Sequence, residues 1–143
     1  MPPSSASAES PIRVFVRIRP QPGDSTAQSS GISITKKSKI CLTDPQRSST
    51  LSQTTKTFAF DHVFAGSEAT QSAIFDRCAR GLVDEMLDGF SCTLFAYGQT
   101  GTGKTYTMSG TPDQQGVIPR TLDHIFDSYK GEKGGDQVDL VVK

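Results

Sequence analysis

From Ile12 onward, Ile12, Val14, Val16 and Ile18 alternate with Arg13, Phe15, Arg17 and Arg19 until Pro20 breaks the series. Alternation with a period of two puts successive side chains on opposite faces, so a strand is predicted over 12–19, ended by a residue that has no N–H to give. Residues 21–31 carry Ser, Gly, Asp and Gln with no period and are expected to form a loop. Ile32 and Ile34, then Ile40 and Leu42, flank Lys36-Lys37-Ser38-Lys39, which predicts a small hairpin. After a second polar loop over 45–55, Phe58, Phe60 and Phe64 fall at even spacing. One strand over 57–64 with an aromatic face is expected there, closed by Ala65-Gly66.

The period then changes. Between 70 and 88 the apolar residues Ile74, Phe75, Cys78, Leu82, Val83, Met86 and Leu87 recur at spacings of three and four, one stripe of a helix. Ser67 or Thr70 is a candidate cap, Glu68 suits the positive end of the helix dipole, and Gly89 is a natural stop. Residues 92–97, Cys-Thr-Leu-Phe-Ala-Tyr, are nearly all apolar, as expected of a strand covered on both faces. A helix is predicted from about Gly103, interrupted over 109–116 and resumed over 118–129 with Leu122, Ile125, Phe126 and Tyr129 on its stripe. A loop over 131–136 and a strand over 138–142 follow. Strands and helices alternating in this way predict an α/β fold. The chain stops inside that last strand with no helix to cover it, so an incomplete domain is expected.

Composition adds mainly exclusions. With 15 basic and 15 acidic residues among 143, the formal net charge is zero, which argues against a polycationic nucleic-acid binder. Cys41, Cys78 and Cys92 are far apart, with no paired spacing and no nearby histidine, so buried thiols in a reducing compartment are expected rather than a metal site. His62 and His124 are equally isolated and are expected at the surface or in satisfied core positions. Residues 1–11 have neither a basic start nor an apolar stretch and are expected to be a disordered leader, with the domain running over 12–143. No stretch approaches the length needed to span a bilayer, and a cytosolic or nuclear protein is expected.

One run carries chemistry. Gly98-Gln99-Thr100-Gly101-Thr102-Gly103-Lys104-Thr105 matches the phosphate-binding P-loop at every required position, between a predicted strand and a predicted helix. Glycines let the backbone curl and bring N–H groups to phosphate oxygens, and a helix start adds a positive dipole end. Lys104 supplies a point charge for the β- and γ-phosphates, and the Thr105 hydroxyl a ligand for Mg²⁺. Ligands of open parallel sheets sit beyond the C-terminal strand ends. Arg17, Arg19 and Pro20 lie at such an end, and if their strand runs parallel to 92–97 they open on the same crevice as Gly98. Guanidinium planes, a proline ring and the Tyr106 ring are suitable neighbours for an adenine. A solvated strand face is the competing account of the two arginines.

Together, Val16-Arg17-Ile18-Arg19-Pro20, Phe58-Ala59-Phe60-Asp61-His62-Val63-Phe64, the stretch from Phe95 through the P-loop to Tyr106-Thr107-Met108, and Gly116-Val117-Ile118-Pro119-Arg120 resemble the kinesin motor family. The resemblance implies a P-loop NTPase-type sheet flanked by helices with a small β-hairpin lobe. It implies ATP and Mg²⁺ at Gly98–Thr105, Arg17, Arg19 and Pro20 bordering the adenine with Tyr106 on its other side, and the microtubule as partner, in the cytoplasm on the cytoskeleton. Nucleic acid and membrane are not expected partners. The family also uses an N-x-x-S-S-R-S-H and a D-L-A-G-S-E stretch to sense the γ-phosphate and place water, and neither occurs here. Phe64-Ala65-Gly66-Ser67-Glu68 imitates the second, but Val63 stands in place of its aspartate and the run precedes the P-loop. Asp113-Gln114-Gln115-Gly116 lies where the family has a variable insertion. No catalytic residue is therefore assigned within the chain. The expectation is the ATP-binding part of a microtubule-dependent ATPase, truncated before both motifs and with negligible turnover by itself. The alternative is a short non-catalytic module that binds nucleotide or a partner.

Overall fold

The computed structural model describes residues 12–19, 31–43 and 55–131, with side chains of the final helix up to Tyr129. The predicted leader, both polar loops, Pro20, and the loop and strand expected beyond residue 131 lie outside the described residues. The chain divides into two units, Met1–Ala69 and Thr70–Lys143.

The first unit holds two sheets. β1 (Phe15–Arg17) pairs in parallel with β5 (His62–Phe64), Val16 opposite Val63. β2 (Ile32–Thr35), β3 (Lys39–Thr43) and β4 (Thr55–Ala59) form an antiparallel sheet in that order. The expected hairpin is thus present, with Ile34 opposite Ile40, and β4 adds a third strand through Ile40 opposite Phe58. The single strand expected over 57–64 is in fact two strands in different sheets. The break falls at Phe60-Asp61, where the Phe60 N–H donates to the Ser38 carbonyl at 2.8 Å and Asp61 takes hold of Val14. The Asp61 N–H donates to the Val14 carbonyl at 3.0 Å, and Asp61 Oδ2 accepts the Val14 N–H at 2.7 Å. Even spacing of phenylalanines cannot reveal such a switch, because each half keeps its own period of two. Its result is that Phe64 is buried while Phe58 remains 45% exposed.

All of β5 is buried. Val63 and Phe64, each 2% exposed, together with Ile40 and Ala69 make the core of this unit. Burying side chains of this size contributes about 1.5–3 kcal/mol apiece. Lys36 and Lys37, at the hairpin turn, take positive φ values of 56° and 53°, a conformation costly for residues with a Cβ. The turn is held in part by the Lys37 carbonyl, which accepts the Val63 N–H at 2.7 Å. The Lys37–Glu68 ion pair adds little, because both side chains are largely exposed. Glu68 sits in a 3-10 turn (Gly66–Glu68) and not in the helix that follows. His62 belongs to the core, its ring edge-on to Phe64 at 4.7 Å between centroids.

In the second unit Thr70 is the cap that the sequence offered, its hydroxyl accepting the Ala73 N–H at 3.2 Å. The predicted helix runs as α1 (Gln71–Ile74), a π-helical turn (Phe75–Ala79) and α2 (Arg80–Leu87). An added residue in a helical turn rotates everything after it about the axis. The buried stripe is accordingly Ile74, Phe75, Cys78, Ala79 and Val83, while Met86, expected on it, is 39% exposed. Gly89, with φ 97°, ends the helix. α3 (Lys104–Met108) and α4 (Val117–Gly131) enclose a two-stranded ribbon, β6 (Gly110–Thr111) with β7 (Gln114–Gln115). Gly131, expected in a loop, is the last residue of α4. α4 packs on the earlier helix, with Phe75 edge-on to His124 at 6.0 Å, and buries Val117 and Ile125. His124 is satisfied there: Nε2 bonds Asp84 Oδ1 at 2.7 Å, and Nδ1 faces the Arg80 guanidinium at 3.4 Å.

The segment 92–97 departs from expectation. It forms neither helix nor strand and pairs with no strand among the described residues, and Phe95 and Tyr97 are 74% and 95% exposed. Only Cys92, Leu94 and Ala96 are partly covered. An apolar run marks side chains suited to burial, whereas a strand is completed by the N–H and C=O groups of its neighbours, and no described segment brings them.

Candidate functional site

The run from Gly98 to Tyr106 lies wholly in the second unit, following the segment 92–97 and ending in the first turn of α3. Its curl depends on glycine at Gly98, Gly101 and Gly103, all at positive φ. Gly98 has φ 153°, and a Cβ there would lie 2.7 Å from Thr102 Oγ1. Gly103, with φ 99°, is the left-handed residue immediately before α3 and makes no side-chain cap, so the loop enters the helix with first-turn N–H groups uncovered by any side-chain oxygen of the cap residue.

The Gln99 carbonyl is the hub of the loop. It accepts the Thr102 hydroxyl at 2.8 Å, the Lys104 ammonium at 2.7 Å and, more weakly, the Thr102 N–H at 3.4 Å. Lys104 Nζ also donates to the Gly98 carbonyl at 2.8 Å. Two carbonyls therefore hold the ammonium over the loop that precedes it, leaving one of its three N–H groups for a further acceptor. Thr105 is exposed, and among the described residues its hydroxyl makes no side-chain hydrogen bond. A free, hard oxygen donor of this kind suits Mg²⁺. Among the described residues no cluster of His, Cys, Asp or Glu is arranged to hold a metal.

The other expected residues are placed separately. Arg17, the last residue of β1, and Arg19 belong to the first unit, and Arg17 Nη2 donates to the Ala69 carbonyl at 2.8 Å. Arg17 is thus bonded within its unit and is not a solvated side chain of a bare strand face. The parallel partner of β1 is β5. Tyr106, half-buried on α3, donates its phenol proton to Gln114 Oε1, and its main-chain carbonyl accepts Gln71 Nε2 at 2.7 Å. Sequence reasoning passed over Gln71 and gave Gln114 no role. Gln71 did carry a signal: it lies three, four and seven residues before Ile74, Phe75 and Cys78, and a polar residue at a stripe position must find a partner inside.

A family model described as the kinesin motor domain matches residues 17–143. The chain belongs to the kinesin family. It is 42% identical over 129 residues to the kinesin-like protein KIF3C of Bos taurus, covering 86% of this chain and 16% of that protein. With the kinesin-like protein KIF15 of Mus musculus it shares 39% identity over 138 residues, covering 85% of this chain and 9% of the relative. Among solved structures, KIF14 with ADP in complex with a microtubule superposes with a TM-score of 0.71 at 28% identity, covering 87% of this chain and 35% of that one. The chain thus spans a small part of the kinesins it matches, and the α/β fold expected from its sequence is the fold of that neighbour.

Proposed function

We propose that this kinesin chain supplies the ATP-binding part of a microtubule motor, with Gly98–Thr105 as the phosphate loop. The observation that carries the proposal is the Lys104 ammonium, anchored by the Gly98 and Gln99 carbonyls across a loop whose curl needs glycine at positions 98, 101 and 103. A cation fixed in this way meets a polyphosphate without first being ordered, which lowers the entropic cost of binding. Thr105 would hold Mg²⁺, which when bound neutralises charge on the phosphate oxygens. Tyr106 follows on α3 as the residue that borders the adenine. Arg17, Arg19 and Pro20, from the first unit, are assigned to the same base by their match to the family motif. The domain assigned to this role is 12–143.

The partner inferred for the complete motor is the microtubule, in keeping with the KIF14 complex, and the setting is the cytoskeleton. No helix among the described residues is long and apolar enough to cross a membrane.

Titration with a fluorescent ATP analogue tests the proposal. The chain should bind it with Mg²⁺ present, and Lys104→Ala should weaken binding about ten- to one-hundred-fold, the loss expected of a charge-assisted bond to phosphate. Saturable binding that is unchanged in Lys104→Ala would refute the assignment. Microtubule-stimulated phosphate release from these 143 residues should be negligible. Release abolished by Lys104→Ala would overturn that part.

A further inference from the structure

Tyr106 is gripped from two directions within the second unit. α3 ends at Met108, so the Tyr106 carbonyl lies in the last turn of the helix. Gln71, the first residue of α1 and only 4% exposed, reaches across 35 positions to donate to that carbonyl at 2.7 Å. A buried amide spent on a helix-terminal carbonyl fixes the main chain of Tyr106, and with it the root of the ring.

The tip of the ring is fixed independently. Its phenol donates to Gln114 Oε1 on β7. The ribbon that carries Gln114 is itself pinned, by the Gln114 N–H on Thr111 Oγ1 at 3.2 Å and the Gly116 N–H on the Ser109 carbonyl at 3.1 Å. Root and tip anchored to separate elements fix where the long axis of the ring lies, and a stacked aromatic contact depends on that placement.

We infer that Gln71 and Gln114 are positioning residues for the base of the bound nucleotide, acting through the orientation of Tyr106. The inference rests on the nucleotide site proposed above and assigns to it two residues outside the phosphate loop. Phosphate binding, which uses Gly98–Thr105, does not require them. Their loss should therefore be felt by ATP and not by inorganic triphosphate.

Equilibrium binding of ATP and of inorganic triphosphate to the full chain distinguishes the cases. Gln114→Ala and Tyr106→Phe should each weaken ATP binding about five-fold, the worth of one neutral hydrogen bond, with triphosphate affinity held within about two-fold. The double variant should lose no more than either single one, because both remove the same bond. Gln114→Glu, which keeps an acceptor, should restore the affinity lost in Gln114→Ala. Gln71→Glu, which replaces the donor by a carboxylate, should follow the same pattern. Gln114 is exposed, so its variants keep the test sound even where Gln71→Glu fails to fold. Equal losses for both ligands, or unchanged ATP affinity in Gln114→Ala and Tyr106→Phe, would overturn the positioning role while leaving the phosphate loop intact. A wild-type chain that binds neither ligand would overturn the nucleotide site and this inference with it.

Discussion

Replacing Gly98 by alanine asks how closely the phosphate loop is built. The new Cβ would meet Thr102 Oγ1 at 2.7 Å, closer than such atoms ordinarily approach, and would force φ 153° on a residue with a side chain. The backbone strain is worth about 2 kcal/mol. Relief of the clash turns the Thr102 hydroxyl off the Gln99 carbonyl, now 2.8 Å away, at a further cost of about 1 kcal/mol. An exposed loop relaxes when strained, so the sum, about 3 kcal/mol or roughly a hundred-fold, should show in nucleotide affinity and not in the melting temperature. Gly101→Ala is the control, since it shares a positive φ, 81°, but a Cβ there meets nothing within 4 Å. It should cost the strain alone, about five-fold less than Gly98→Ala. Thr102→Ala should weaken binding about five-fold by itself, yet add nothing in the Gly98→Ala background, where its bond is already broken. The assay is titration with a fluorescent ATP analogue, alongside thermal unfolding of each variant. Equal losses in the two glycine variants, or additive losses in the Gly98/Thr102 pair, would refute the claim that the Thr102 hydroxyl and the Gln99 carbonyl set the curl.

Two further predictions concern the scaffold. Val63→Ala removes two methyl groups from a residue only 2% exposed, and should lower the unfolding free energy by about 2–3 kcal/mol in a denaturant titration; a loss under about 1 kcal/mol would place Val63 outside the core. Thr70→Ala deletes the cap on the Ala73 N–H and should cost about 1 kcal/mol, whereas Thr70→Ser should not; equal stability of both variants would show that the cap carries no weight.

What could be read from the sequence is what short-range periodicity encodes. The hairpin of Ile32, Ile34, Ile40 and Leu42, the Thr70 cap, the Gly89 stop and the helix over 117–131 each follow from a few neighbouring residues, because dihedral preferences and side-chain direction are local. The glycine-rich run over 98–105 stands out for a related reason, as a phosphate-binding loop needs a contiguous backbone curl and hence contiguous residues. The tertiary structure decided what depends on distant partners. Asp61 bonding Val14 splits the phenylalanine-rich run between two sheets. The π-helical turn shifts the buried stripe onto Ala79. The segment 92–97 has the composition of an interior strand yet leaves Phe95 and Tyr97 exposed, because burial is settled by neighbours that an apolar pattern cannot specify. Gln71 and Tyr106 stand 35 positions apart, and only the packing of helices in the second unit brings the Gln71 amide to the main-chain carbonyl of Tyr106. Local chemistry thus singled out the loop proposed to take phosphate, while the fold decided which distant residues meet its neighbouring tyrosine.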